Sequence, residues 1–137
     1  MKDFSAFLDV VSTELSLKDL TVQLGMEPSE GSHDLGSPRG RNGSWTVTIW
    51  RLDSGATESA SLDAHCQSLL AKARAGNVLE SIRRLKVEAF INIAAFFDTV
   101  ACTLTIPPSC LQVLRDYPLG LEVTCYPSDM ESKERTG

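Results

Sequence analysis

Apolar and polar positions alternate along this chain in two distinct periods. From Phe4 to Thr13 the residues are rich in Phe, Leu and Val and predict a strand. Ser16 suits a helix N-cap, with Asp19 three residues on. Leu17, Leu20 and Leu24 then recur at helical spacing until Gly25 and Pro28 stop the helix. Residues 29–44 hold four glycines (Gly31, Gly36, Gly40, Gly43) and Pro38 among serines, and predict a loop. Trp45 to Leu52 alternates strictly and predicts a second strand, ended by Asp53-Ser54-Gly55.

Ser61 opens a second helix whose apolar stripe is Leu62, Cys66, Leu69, Leu70 and Ala73. Gly76-Asn77 breaks it, and Val78, Ile82 and Leu85 continue helically after a fresh cap at Asn77. Lys86 to Phe97 is strongly β-type. Asp98-Thr99 predicts a tight turn and Val100 to Ile106 a return strand, although Asp-Thr is a weaker turn signal than Asn-Gly. Pro107-Pro108-Ser109 starts a short helix through Tyr117, since proline suits the first helical turn. Leu121 to Tyr126 is a last strand, and the polar segment 127–137 forms a tail. The order β-α-β-α-β-β-α-β, with the central helix in two pieces, predicts one α+β domain over residues 1–126. Its expected architecture is a single five-stranded mixed, mostly antiparallel sheet with helices on one face, ferredoxin-like in style. Strand–short helix–strand recurs at both ends of the chain, and each such unit should cross over right-handed if its strands share a sheet.

Side-chain parity then assigns faces. In the second strand Val47 and Ile49 are assigned to the core, and Thr46, Thr48 and Trp50 to the opposite side. In the third, Val87, Ala89, Ile91 and Ile93 face the core and Phe90, Asn92 and Phe96 face away. In the last, Leu121, Val123 and Cys125 oppose Glu122, Thr124 and Tyr126. Helices on the aliphatic side would leave Trp50, Phe90, Phe96 and Tyr126, with Thr48, on an open surface, and such a patch marks an interface.

Composition narrows the class. The 137 residues are 42% hydrophobic and 23% charged, as expected of one folded domain rather than a disordered chain. The balance of 13 Lys+Arg against 18 Asp+Glu, a net charge of −5, argues against a nucleic-acid binder. No apolar run approaches the roughly 20 residues of a membrane span, and no signal peptide is expected from the Met1-Lys-Asp-Phe-Ser5 opening. The expected setting is cytoplasmic. Cys66, Cys102, Cys110 and Cys125 are widely spaced among apolar neighbours with no C-x-x-C, which predicts reduced, mostly buried thiols.

Candidate chemistry is sparse. Gly31-Ser-His-Asp-Leu-Gly36 begins like a phosphate loop, but Ser37-Pro38 replaces the Lys-Ser/Thr and a strand follows instead of a helix. His33, in that loop, has no evident support as a base, and His65 is expected at the solvent edge of its helix. Neither belongs to a zinc pattern, so no metal and no cofactor are expected. Cys110, in the first turn of its helix, is the nearest thing to an activated nucleophile, with a core role the plainer alternative. Arg39 and Arg41 could hold an anion, and Arg83, Arg84 and Lys86 suit a helix C-terminus.

One longer pattern remains. Leu17-Lys-Asp-Leu-Thr-Val-Gln-Leu-Gly-Met-Glu-Pro28, a glycine-containing spacer, Trp50-Arg-Leu52, the leucine-spaced helix from Leu62 to Leu70 and a final strand ending in Tyr126 occur in that order. This resembles the bacterial domain-of-unknown-function family numbered 4279, over about Phe4 to Tyr126. The polar spacer is a mild departure from the family pattern. The resemblance implies a small cytoplasmic α+β domain and supplies no catalytic residues to carry over. The functional expectation is a non-enzymatic interaction module, regulatory or immunity-like, which binds a protein partner or a second copy of itself through the aromatic sheet face. The alternative is a small-ligand domain with its pocket between loop 29–44 and the sheet.

Overall fold

The computed structural model describes residues 2–41, 43–98 and 103–127. Within them run β1 (Lys2–Ser12), α1 (Leu17–Leu24), β2 (Thr48–Asp53), α2 (Leu62–Ala75), α3 (Val78–Leu85), β3 (Glu88–Phe97), α4 (Pro108–Asp116) and β4 (Gly120–Pro127). The fold is α+β with one mixed sheet of order β2-β1-β3-β4. β1 is antiparallel to both β2 and β3, and β4 is parallel to β3.

Among the described residues the sheet thus has four strands, and 103–106 does not supply the expected fifth, for a topological reason. A strand has two edges. β1 occupies one edge of β3 and β4 the other, so a hairpin partner after Phe97 has no edge to pair with. Residues 103–107 run to α4 as irregular chain, despite the alternation of Thr103, Leu104, Thr105 and Ile106. The turn residue Thr99 and the start of that predicted strand, 100–102, lie outside the described residues, as does the tail beyond Pro127. The second strand–helix–strand unit expected from sequence does not form, since 103–106 is no strand; α4 instead links β3 to the parallel β4. In the first, β1 and β2 pair antiparallel.

The helix signals act as their chemistry dictates. Ser16 and Ser61 accept hydrogen bonds from the amides of Asp19 and Ala64, satisfying donors that a first turn leaves free. Gly25 ends α1 in the left-handed conformation at φ 72°, which costs glycine nothing. The four described helices bury most of their apolar residues on one side of the sheet, Val22 and Leu111 being exposed. Leu20 and Leu24 of α1, Leu69 and Ala73 of α2, Ile82 of α3 and Val113 of α4 join Ala6, Leu8, Val10, Trp50, Leu52, Ala89, Ile91 and Ile93 in one core. Among the described residues, the other side of the sheet carries no helix.

Candidate functional site

The sheet register decides which sequence-predicted residues reach the open face. Val10 stands opposite Trp50, Leu8 opposite Leu52 and Ser12 opposite Thr48. Directly opposed residues share a face, so Trp50 and Thr48 lie with the core residues of β1. Both are fully buried, and the assignment of Trp50 and Thr48 to the open surface is corrected. The strand also begins three residues later than predicted, at Thr48. The Trp50 indole donates to the Met26 carbonyl at 3.2 Å, and the Thr48 hydroxyl accepts from the Leu35 amide at 3.1 Å. Each polar atom therefore enters the core with a partner.

Arg51 shows why β2 faces this way. It alternates with Trp50 and falls on the face of Ile49, where its charge meets Asp9 of β1. Its Nε and Nη2 donate to the two Asp9 carboxylate oxygens at 2.7 and 2.9 Å. The Asn92 amide donates to the same carboxylate at 2.5 Å. Asp9 is only 5% exposed beneath these groups, so its charge is buried but multiply bonded. The hydrogen bond to Asp9 pushes Arg51 above its ordinary value, against the opposing effect of burial. The guanidinium also lies over the Phe7 ring at 4.6 Å.

Phe90, Phe96 and Tyr126 do share this open face, as parity requires of β3 and β4. Phe96 and Tyr126 stand opposite each other and stack with ring centroids 5.2 Å apart. Tyr126 remains 46% exposed. Phe90 lies across Gly120, where a Cβ would come within 2.7 Å of the ring. Between these groups is a shallow concavity lined by Asp9, Arg51, Asn92, Glu122, Thr124 and Tyr126, among others. The face therefore has aromatic edges and a charged, hydrogen-bonded centre.

The glycine-rich loop supplies none of the residues that line this concavity. It runs along the outer edge of β2. His33 and Ile49 exchange backbone hydrogen bonds of 2.9 and 2.8 Å, Ser29 donates to the Arg51 carbonyl at 2.7 Å, and the Arg51 amide donates to the Ser32 hydroxyl at 2.9 Å. Gly31 packs so close that a Cβ would sit 3.1 Å from Arg51 Nη1. Farther out, the Trp45 ring is stacked on His33 at 4.1 Å and covered by the Arg39 guanidinium at 4.7 Å. His33 is thus packed rather than unsupported. Arg39 is engaged with that ring and Arg41 is exposed nearby.

The family model described as "Domain of unknown function (DUF4279)" matches residues 2–128, nearly the whole chain. The chain belongs to the DUF4279 family. No curated protein and no solved structure matches it. In this DUF4279 domain the matched span includes every described strand and helix. Among the described residues no helix is long and apolar enough to cross a membrane, and no three His, Cys, Asp or Glu side chains converge as metal ligands would.

Two buried clusters in the DUF4279 domain escaped the sequence reading. His65 is 2% exposed, not at a solvent edge, and its Nδ1 lies 2.8 Å from the hydroxyl of the fully buried Ser54. The pair lacks the access a nucleophile needs, and His65 Nε2 has no hydrogen-bond partner. The signal was the place of Ser54 just after β2, which only tertiary structure relates to α2. The second cluster is Cys66 with Cys110, both buried and unbridged. Their mutual hydrogen bond raises the Cys66 thiol, with burial adding to the rise, and lowers that of Cys110 against the opposing effect of burial; both sulfurs are closed off in the core. Cys125 is exposed, contrary to expectation, and Cys102 lies outside the described residues. The basic cluster does serve helix ends: Arg83 donates to the Asp116 carbonyl at 2.6 Å and Arg84 to that of Gln23 at 3.3 Å.

Proposed function

We propose that this DUF4279 domain is a non-enzymatic protein-interaction module whose working surface is the helix-free face of its sheet. The observation that carries this reading is the pairing of the half-buried Phe96 and exposed Tyr126, stacked on each other, with a pre-ordered ionic centre at Asp9, Arg51 and Asn92. Aromatic and arginine side chains with few freely rotating bonds are the groups that dominate protein interfaces. Arg51 is held in place before any partner arrives, which lowers the entropy lost on binding. The small-ligand alternative between loop and sheet has less support, because Gly31 rests against Arg51 and the loop backbone is bonded to β2. A cytoplasmic, regulatory setting fits the acidic, single-domain chain.

The test is partner recovery from lysate of the source cells by the full chain and by a Phe96→Ala/Tyr126→Ala variant of matched melting temperature. The reading predicts a partner whose recovery falls at least tenfold with the variant. Equal recovery by both, or no partner for the wild-type chain, would contradict it.

A further inference from the structure

The sheet has two outer edges, and the chain treats them differently. The β2 edge is covered by the 29–33 segment through backbone bonds. Among the described residues, nothing pairs with the outer edge of β4. Natural edges are blunted by charged side chains, prolines, bulges or shortness. β4 carries little of this: it is eight residues long, its register with β3 is unbroken, its single charge is Glu122, and its one proline is the last residue. From Glu122 to Pro127 it is exposed on both sides, and Val123, on the helix side, is 41% exposed.

We propose that β4 pairs antiparallel with β4 of a second copy about a two-fold axis at Val123, joining two sheets into one of eight strands. The occupant is a second copy because the strand is complementary to itself in this register. Gly120 falls opposite the other copy's Tyr126, Leu121 opposite Cys125, Glu122 opposite Thr124, and Val123 opposite its own equivalent. The small residue meets the large aromatic, a pairing that shields glycine in sheets. The single charge of the strand meets a hydroxyl rather than a like charge. Moving the axis to Glu122 would set two carboxylates against each other. Moving it to Cys125 would put Val123 opposite Pro127, which has no amide to donate. An isologous contact of this kind closes at two copies. It also keeps both sets of helices on one side and makes one continuous open face. The interface is at the edge of the sheet, so it stands whether or not that face binds a partner.

Sedimentation equilibrium of the full chain at micromolar concentration tests this. The expected mass is twice 14.9 kDa, falling to 14.9 kDa in Val123→Lys with its circular dichroism unchanged. Diamide oxidation reads the register independently: Leu121→Cys should form intermolecular disulfides between positions 121 and 125, identified by peptide mass, while the wild-type chain forms none between two copies of Cys125. A monomer at all concentrations would overturn the proposal. So would a dimer that Val123→Lys leaves intact, or a wild-type Cys125–Cys125 cross-link.

Discussion

Single residues in this domain are decided by the partner each polar atom finds. Asp9 is the sharpest case, because its buried carboxylate is matched by three donors from two neighbouring strands. Asp9→Ala leaves Arg51 without its counter-charge. Because the Arg51 side chain is 29% exposed, water can compensate in part, so the loss should be about 3 kcal/mol, the lower end for a broken buried pair. Urea denaturation checks this. Ser54→Ala should cost about 1–3 kcal/mol by stripping His65 Nδ1 of its partner. Ser54→Ala/His65→Leu should cost less than the sum of the two single changes, which a double-mutant cycle measures. Sequence parity placed Phe90, Phe96 and Tyr126 correctly but reversed Trp50. The predicted strand offers Val47 and Ile49 on one side and Trp50 with Leu52 on the other, and burial volume alone does not choose between them. Arg51 was the available clue: on the face of Ile49, its charge argues against that face being the core.

At the level of elements, most local signals were legible where the chemistry is local, Asn77 excepted, which precedes α3 in the left-handed conformation with no side-chain cap. Ser16, Gly25, Ser61 and the proline start of α4 all sit where the sequence puts them. Ser16→Ala should therefore destabilise the domain by about 1 kcal/mol, measured by thermal or chemical unfolding. Strand pairing is not local. The 100–106 segment has strand-like composition, but β3 gives its second edge to β4, some 20 residues farther along the chain. No propensity within the segment reports that competition. The cysteines divide in the same way. Cys66 and Cys110 are brought together by helix packing, whereas Cys125 is on the exposed edge strand. Iodoacetamide at pH 8 should label Cys125 within minutes and spare Cys66 and Cys110 until the chain is unfolded, as read by peptide mass.

On the scale of the whole molecule, the sheet has two unlike sides. One is buried under four helices around Trp50; the other carries an aromatic stack and a buried ionic centre. The class of fold and the existence of an aromatic open face were readable from alternation, because parity survives even when strand order is unknown. The ionic centre was not readable, since Asp9, Arg51 and Asn92 are brought together by registers that span 42 and 83 residues. The division of the sheet is the claim on which the proposed interaction surface depends. Chemical denaturation of Trp50→Ala beside Tyr126→Ala tests it most directly. Trp50→Ala should lose about 3–5 kcal/mol through the cavity it opens, and Tyr126→Ala no more than about 1.5 kcal/mol, the contribution of an aromatic pair. A small loss for Trp50→Ala with a large loss for Tyr126→Ala would reverse the two faces and contradict the account.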